Sequence, residues 1–284
     1  MKSVIITGTS KGIGLETAFA FARAGYKVFA TMRNPANAAD FKQKINDECL
    51  TIIISAMDVN DDESVTSGIS AIIREHGPVD VLVNNAGVEY HGSIEEVPMA
   101  DFKAVMETNY FGAVRCIKAV LPHMRESRNG CIINVTSVAG KMANTPLGPY
   151  SASKFALEAI SEALAQEVKP FNVRVAIVEP GIIDTKMARN ISAGGTSIYP
   201  QVNRFGSLFE NSLKTPTPAT LVADKILEIA GSGTWQLRHP VGPDAEPMLG
   251  WRAKMNDEEW VDFNAASDEE WYKAVRLDPK PDAG

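Results

Sequence analysis

At 284 residues, with 45% hydrophobic and 22% charged side chains, the chain is long enough to bury a substantial core and has the balance of a soluble globular protein. A net charge of −7 speaks against a nucleic-acid or anionic-membrane surface, and no stretch approaches the roughly 18 apolar residues of a membrane span. Three separated cysteines (Cys49, Cys116, Cys131) and four scattered histidines (His76, His91, His123, His239) lack the spacing of a disulfide framework or metal site, so a metal-free, cytoplasmic chain is expected.

In chain order, residues 4–7 form an apolar run of strand length, as in a parallel sheet covered on both faces. A glycine turn, Gly8-Thr-Ser-Lys-Gly12-Ile-Gly14, then opens a helix over 12–24 that Gly25 stops. Strand, glycine turn and helix together suit a pyrophosphate: glycines let backbone N–H groups approach it, and the helix N-terminus adds favourable partial charge. A tight turn without a ligand is the plain alternative. The second strand, 28–31, ends at Arg33, where dinucleotide-binding folds place either an acid for a ribose 2′-hydroxyl or an arginine for a 2′-phosphate. Arg33 here, and Lys11 inside the glycine turn, favour NADP(H) over NAD(H), with NAD(H) still possible.

A polar helix (36–46), a third strand (50–56) ending before Asp58-Val59, a helix (62–75) and a fourth strand (79–83) follow. Asn84-Asn85-Ala86-Gly87 is small and amide-rich, suited to a backbone that approaches a ligand. The helix over 100–125 carries Asn109 in its middle, a poor helix former. The fifth strand (131–135) leads to Ser137, and the sixth (173–178) to Pro180-Gly181-Ile-Ile183-Asp-Thr185. Residues 188–216 read as a flap with turns at Gly194-Gly195 and Pro200 and an amphipathic helix, a lid over the substrate. A helix over 218–230, a seventh strand (235–240) and a tail with Asp257-Glu-Glu-Trp260 and Asp268-Glu-Glu-Trp271 complete the chain. Those acids mark the first turns of two short helices, whose tryptophans dock on the domain or on a partner subunit. The alternation predicts an α/β fold, one doubly wound parallel sheet over 1–242 followed by a helical tail over 243–284. In such sheets the ligand crevice lies beyond the carboxyl ends of the strands, where the singled-out segments all fall.

One stretch carries the chemistry. Tyr150-Ser-Ala-Ser-Lys154, at the start of a helix over 150–169, puts a phenol and an ammonium on one helix face. A nearby ammonium favours the phenolate, and lowering the phenol pKa by three units takes about 4 kcal/mol. Such a phenol exchanges protons near neutral pH as a general acid/base. His91 reads as a solvated loop histidine.

Taken together, Thr7-Gly8, Gly12-Ile13-Gly14, Asn84 to Gly87, Asn109, Ser137, Tyr150 with Lys154, and Pro180-Gly181 with Thr185 resemble the short-chain dehydrogenases/reductases in order and spacing. The resemblance implies a Rossmann-type fold and reversible hydride transfer between a nicotinamide and a carbonyl/alcohol pair. It implies that Tyr150 protonates the carbonyl oxygen, that Lys154 lowers the tyrosine pKa and holds the nicotinamide ribose, and that Ser137 bonds the substrate oxygen. Asn109 would bind a water linking Lys154 to solvent. Gly8, Ser10, Lys11, Gly12, Ile13 and Gly14 would hold the pyrophosphate side, and Asp58 and Val59 the adenine. Asn85, Ala86 and Gly87 would meet the adenosine and ribose, and Pro180, Gly181, Ile183 and Thr185 the carboxamide. Substrate choice would reside in the segment with Asn144 and Leu147 and in the flap with Tyr199. Arg238-His-Pro-Val-Gly242 is similar to members acting on hydroxysteroids and retinoids, which implies a bulky apolar ketone or secondary alcohol. Family members commonly pair through their two long helices, so a homodimer or homotetramer is expected. A cofactor-binding redox sensor is the other reading; it would be marked by loss of the tyrosine or lysine, and both are present.

Overall fold

Apolar runs of strand length, buried on both faces, form the centre of the protein. The computed structural model describes residues 1–193 and 196–277. The Gly194-Gly195 turn expected from the sequence lies outside the described residues. The strands are β1 (Ser3–Thr7), β2 (Lys27–Met32), β3 (Ile52–Ala56), β4 (Val81–Asn84), β5 (Gly130–Val135), β6 (Val173–Pro180) and β7 (Arg238–Val241). They form one parallel sheet in the order β3-β2-β1-β4-β5-β6-β7. The order reverses between β1 and β4, which opens a crevice at their carboxyl ends.

Side-chain alternation divides the core in two. From β1, Val4 and Ile6 face a cluster built with α1 (Gly12–Arg23) and α9 (Ala219–Ser232), where Phe19, Phe21, Val222 and Ile226 pack. Ile5 points the other way, into a cluster with Ile69 of α3 (Asp62–His76), Val120 of α5 (Gly112–Ser127) and Leu164 of α6 (Gly148–Val168). Burying each such side chain contributes about 1.5–3 kcal/mol, so the sheet is held from both faces. No helix among the described residues is long and apolar enough to cross a membrane.

Several expected boundaries move. The polar helix starts late: Asn34 caps a 3-10 turn (Pro35–Asn37) before α2 (Ala39–Asp47) begins. The helix expected over 100–125 is α4 (Met99–Met106), a π-helical turn (Glu107–Phe111) and α5, with Asn109 inside the π turn. Tyr150 does not open its helix: α6 starts at Gly148 with Pro149 in the first turn, where a missing N–H costs nothing. β7 starts three residues late, at Arg238. Two helices have no counterpart in the sequence reading. They are α7 (Lys186–Ser192), capped by the Thr185 hydroxyl, and α10 (Ala245–Arg252).

The flap supplies α8 (Gln201–Ser212), and the tail supplies α11 (Asp257–Ala265) and α12 (Asp268–Val275), each opened by a capping box. Their tryptophans dock on the same chain. Trp260 Nε1 donates to Ala143 O at 3.1 Å, and Tyr272 shares a 3.0 Å hydroxyl contact with Ser207 of α8. The buried Arg204 of α8 pairs with Asp268.

Behind the sheet's carboxyl end lies a buried acidic pair. Glu158 of α6 accepts from Thr136 Oγ1 (2.7 Å) and Arg238 Nε (3.0 Å). Glu179 of β6 is 1% exposed, and its Oε1 has no hydrogen-bond partner among the described residues. Burial, reinforced by Glu158, pushes the Glu179 carboxyl up to about 7 from its ordinary 4.5. The folded protein therefore holds this proton more tightly than the unfolded chain does. Ionisation of Glu179 subtracts stability as pH rises from about 4.5 through 7, by about 3 kcal/mol at most. Glu179→Gln, uncharged and of the same shape, should melt about 5 °C above wild type at pH 8 and level with it at pH 5 in thermal denaturation.

Candidate active site

The crevice between β1 and β4 depends on backbone contact. Gly8 has φ +70°, and a methyl group there would come within 2.7 Å of Ala86 Cα. Thr7 Oγ1 accepts from the N–H groups of Asn85 and Ala86, both at 3.0 Å. Asn85 Nδ2 returns bonds to Thr7 O (2.9 Å) and Gly8 O (3.2 Å). The glycine turn and the Asn84 to Gly87 segment are thus one locked unit. Gly12 also needs its positive φ, +59°. Gly14 plays a different part from the one expected: it does not line the cavity but lies beneath the turn, where a methyl group would meet both Asn85 Nδ2 and Gly8 O at 2.4 Å.

A cavity of about 380 Å³ runs along the sheet's carboxyl edge. One end is walled by Ser10, Lys11, Gly12 and Ile13, with Arg33 beyond β2 and Asp58, Val59 and Asn60 beyond β3. The first N–H groups of α1 have no intrahelical partners and are suited to an anion here. Asn60 Oδ1 is buried on this wall with no partner among the described residues, an acceptor suited to an exocyclic amine. A dinucleotide with its phosphates at the glycine turn fits this donor and acceptor set.

At the other end Tyr150, Ser137 and Lys154 share the wall. Lys154 Nζ lies 5.5 Å from the centre of the Tyr150 ring and donates to Val135 O at 3.0 Å. Burial pushes the lysine down to about 8, with Glu158 opposing. The Tyr150 phenol is raised rather than lowered, because burial outweighs the opposing Ser137 hydroxyl, and Glu89 adds to the rise. The expectation of a lysine-lowered phenol pKa is corrected here. The net direction is upward because desolvation is the largest influence on the phenol.

Ser137 combines both readings of its position. Its Oγ accepts from Ala139 N (3.1 Å) as a strand-end cap, donates to Pro180 O (3.4 Å), and also lines the cavity. Asn109 lies behind the wall. Its Oδ1 accepts from Val88 N (2.8 Å), and its Nδ2 donates to Val88 O and Ser153 Oγ, each at 2.9 Å. Ser153 in turn donates to Tyr150 O at 2.7 Å, so this buried asparagine ties the Gly87 segment to the first turn of α6.

The remaining wall is mostly apolar. Val138, Met142 and Leu147 face Ile182, Ile191, Phe205 and Phe209, with Met248 from α10. Asn144, Ile183, Pro180, Gly181 and Thr185 also line the cavity, as the sequence suggests. Tyr199 does not. Its hydroxyl donates to Glu95 Oε2 (2.5 Å), and beside it Ser197 Oγ donates to Glu96 Oε2 (2.6 Å), fastening the flap to the loop after β4.

Asp244 was missed. Its Oδ2 accepts from Ile182 N at 2.8 Å, and its Oδ1 would lie 2.1 Å from a methyl group on Gly181. It therefore fixes the turn after β6. The signal was Gly242-Pro-Asp immediately past the seventh strand, with Gly242 at φ +116°.

Gly14→Ala should force Asn85 and the Gly8 carbonyl apart. We expect NADPH affinity, followed by cofactor fluorescence, to fall at least tenfold together with a lower Tm, a combined cost of about 2–3 kcal/mol.

A family model described as short chain dehydrogenase matches residues 2–195. The chain is 36% identical over 272 residues to retinol dehydrogenase 8 of Bos taurus, covering 89% of this chain and 85% of that one. It is 41% identical over 213 residues to 3-ketodihydrosphingosine reductase of Bacteroides thetaiotaomicron, covering 74% of each. Among solved structures, a short-chain dehydrogenase from Streptomyces avermitilis superposes with a TM-score of 0.78 at 30% identity over 97% of both chains. With this fold and these matches, the chain belongs to the short-chain dehydrogenase/reductase family, oxidoreductases of alcohols and ketones.

Proposed function

We infer that this protein is an NADP(H)-dependent oxidoreductase that interconverts a bulky apolar ketone and its secondary alcohol. The observation that carries the reading is the single cavity that has Tyr150, Ser137 and Lys154 at one end and the glycine turn with Lys11 and Arg33 at the other. A carbonyl seated at Tyr150 accepts hydrogen bonds from the phenol and the Ser137 hydroxyl. As negative charge grows on the carbonyl oxygen, the phenol delivers its proton. Burial favours the protonated phenol, the form this direction requires. A bound nicotinamide supplies or accepts the hydride. Lys154, one turn along α6, favours the phenolate left behind and lies where it would bond the nicotinamide ribose. Asn109 holds the Val88 backbone and, through Ser153, the start of α6, so it keeps tyrosine and cofactor wall in register.

Arg33 and Lys11 support NADP(H), since no carboxylate stands at the end of β2 to bond a 2′-hydroxyl. The apolar wall from Val138 to Met248 supports the bulky substrate. Relatives named for retinol and for 3-ketodihydrosphingosine support the same reading. The exposed Phe111 and Phe155, on the π turn and α6, support pairing of subunits through the long helices, as a homodimer or homotetramer in the cytoplasm.

NADPH consumption should be measured against ketones from small aliphatic to steroid-sized. Turnover should rise with apolar bulk, and Tyr150→Phe should lower kcat by about 1,000-fold or more while cofactor binding persists. Binding with no turnover on any ketone, wild type included, would overturn the assignment. Arg33→Asp should weaken NADPH about 10- to 100-fold and leave NADH nearly unchanged. Equal losses for both would remove Arg33 from the 2′-phosphate.

A further inference from the structure

Only two carboxylates line the described cavity. Asp58 stands beyond β3 at the cofactor end, whereas Glu89 follows β4 on the side of Tyr150. The Glu89 side chain is 5% exposed and lines the same cavity as the apolar Met142, Leu147 and Phe205. Its Oε1 is engaged by His91 Nδ1 at 2.9 Å, and the pair raises the histidine pKa, so the imidazolium form is favoured. No hydrogen bond among the described residues reaches Oε2. Glu89 also lies close enough to Tyr150 for its charge to oppose ionisation of the phenol.

A second unmet acceptor lies on the same wall. Asn144 Oδ1 is buried without a partner among the described residues. The two loops are joined, because Gly92 N donates to Pro146 O at 3.0 Å. A purely hydrocarbon substrate would seal a carboxylate oxygen and an amide oxygen away from water with nothing to bond them, an arrangement that costs free energy at each atom. Both vacant positions accept hydrogen, so the fitting ligand donates it.

We propose that Glu89, oriented by His91, is a specificity residue that takes a hydroxyl or ammonium carried by the substrate beside its reacting carbonyl, with Asn144 as the second acceptor. The natural substrate is then amphiphilic: an apolar body against α7 and α8, and a polar donor next to the ketone. This rests on the reductase reading and narrows its substrate class.

Three ketones of equal chain length distinguish the donors: the unsubstituted ketone, its α-hydroxy form and its α-amino form. Wild type should show a kcat/KM about 10- to 100-fold higher for at least one donor-bearing ketone than for the plain one, as a bond to a charged group implies. Glu89→Leu should bring that ratio near one. Glu89→Gln, which still accepts hydrogen, should keep a hydroxyl preference and lose an ammonium preference. A wild-type ratio near one would overturn the proposal, as would a ratio unchanged in Glu89→Leu with all three rates lowered alike. If no ketone is consumed, the reductase reading fails instead. Calorimetric binding of the corresponding alcohol, diol and amino alcohol, with NADP⁺ present, then reads the same ratios without turnover and decides Glu89 separately.

Discussion

The close backbone approach of Gly8 to Ala86 sets the position of the candidate site. Two parallel strands on either side of the switch point end in segments packed so tightly that a methyl group on Gly8 would lie 2.7 Å from Ala86 Cα. Thr7 joins them with one hydroxyl that accepts two backbone N–H groups. Placement of the α1 N-terminus, and hence of the phosphate site, follows from this contact. So does the path of the chain through Gly87 and Val88, which Asn109 and Ser153 connect to Tyr150. The glycine turn and Tyr150 are therefore two ends of one hydrogen-bonded unit. That unit explains how segments far apart in sequence can meet the sub-ångström tolerance of hydride and proton transfer.

Burial rather than local charge governs the reactive pair. Desolvation lowers Lys154 from 10.5 to about 8, a net effect of about 3 kcal/mol that Glu158 only partly opposes. The same desolvation keeps the phenol protonated. Two carboxylates act on the pair, Glu158 favouring the ammonium and Glu89 disfavouring the phenolate. A cofactor entering the cavity changes what these groups face, and the balance between lysine and tyrosine is placed where such a change has its largest effect.

Much of this is legible in the residues. Six of the seven strands are apolar runs bounded by turn residues, and Tyr150 and Lys154 declare themselves by helical spacing. Asn109 stands out as a poor helix former, and the structure gives the reason: it lies in a π turn whose widened backbone lets the amide reach Val88. What could not be read depends on contacts between distant segments. Asp244 acts on Gly181 across the sheet's edge, and nothing near position 244 in the sequence indicates that partner. Tyr199 has the character of a pocket aromatic, yet Glu95 draws its hydroxyl outward. Glu89 reads as one more loop acid until burial shows it facing the cavity. The lowered tyrosine pKa failed as an expectation because spacing gives proximity of charge and is silent on desolvation.

The tail bears on the same question of substrate. Trp260 holds the Ala143 carbonyl next to Asn144, Asp268 and Tyr272 hold α8 through Arg204 and Ser207, and Asp244 holds the turn at Ile182. Each of these bonds reaches a segment that lines the cavity or the helix that closes it, and none reaches the cofactor end. Residues 244–272 thus brace the apolar end of the cavity from outside. The tail shapes the apolar end of the cavity both directly, through Met248, and through bonds to the segments that line it.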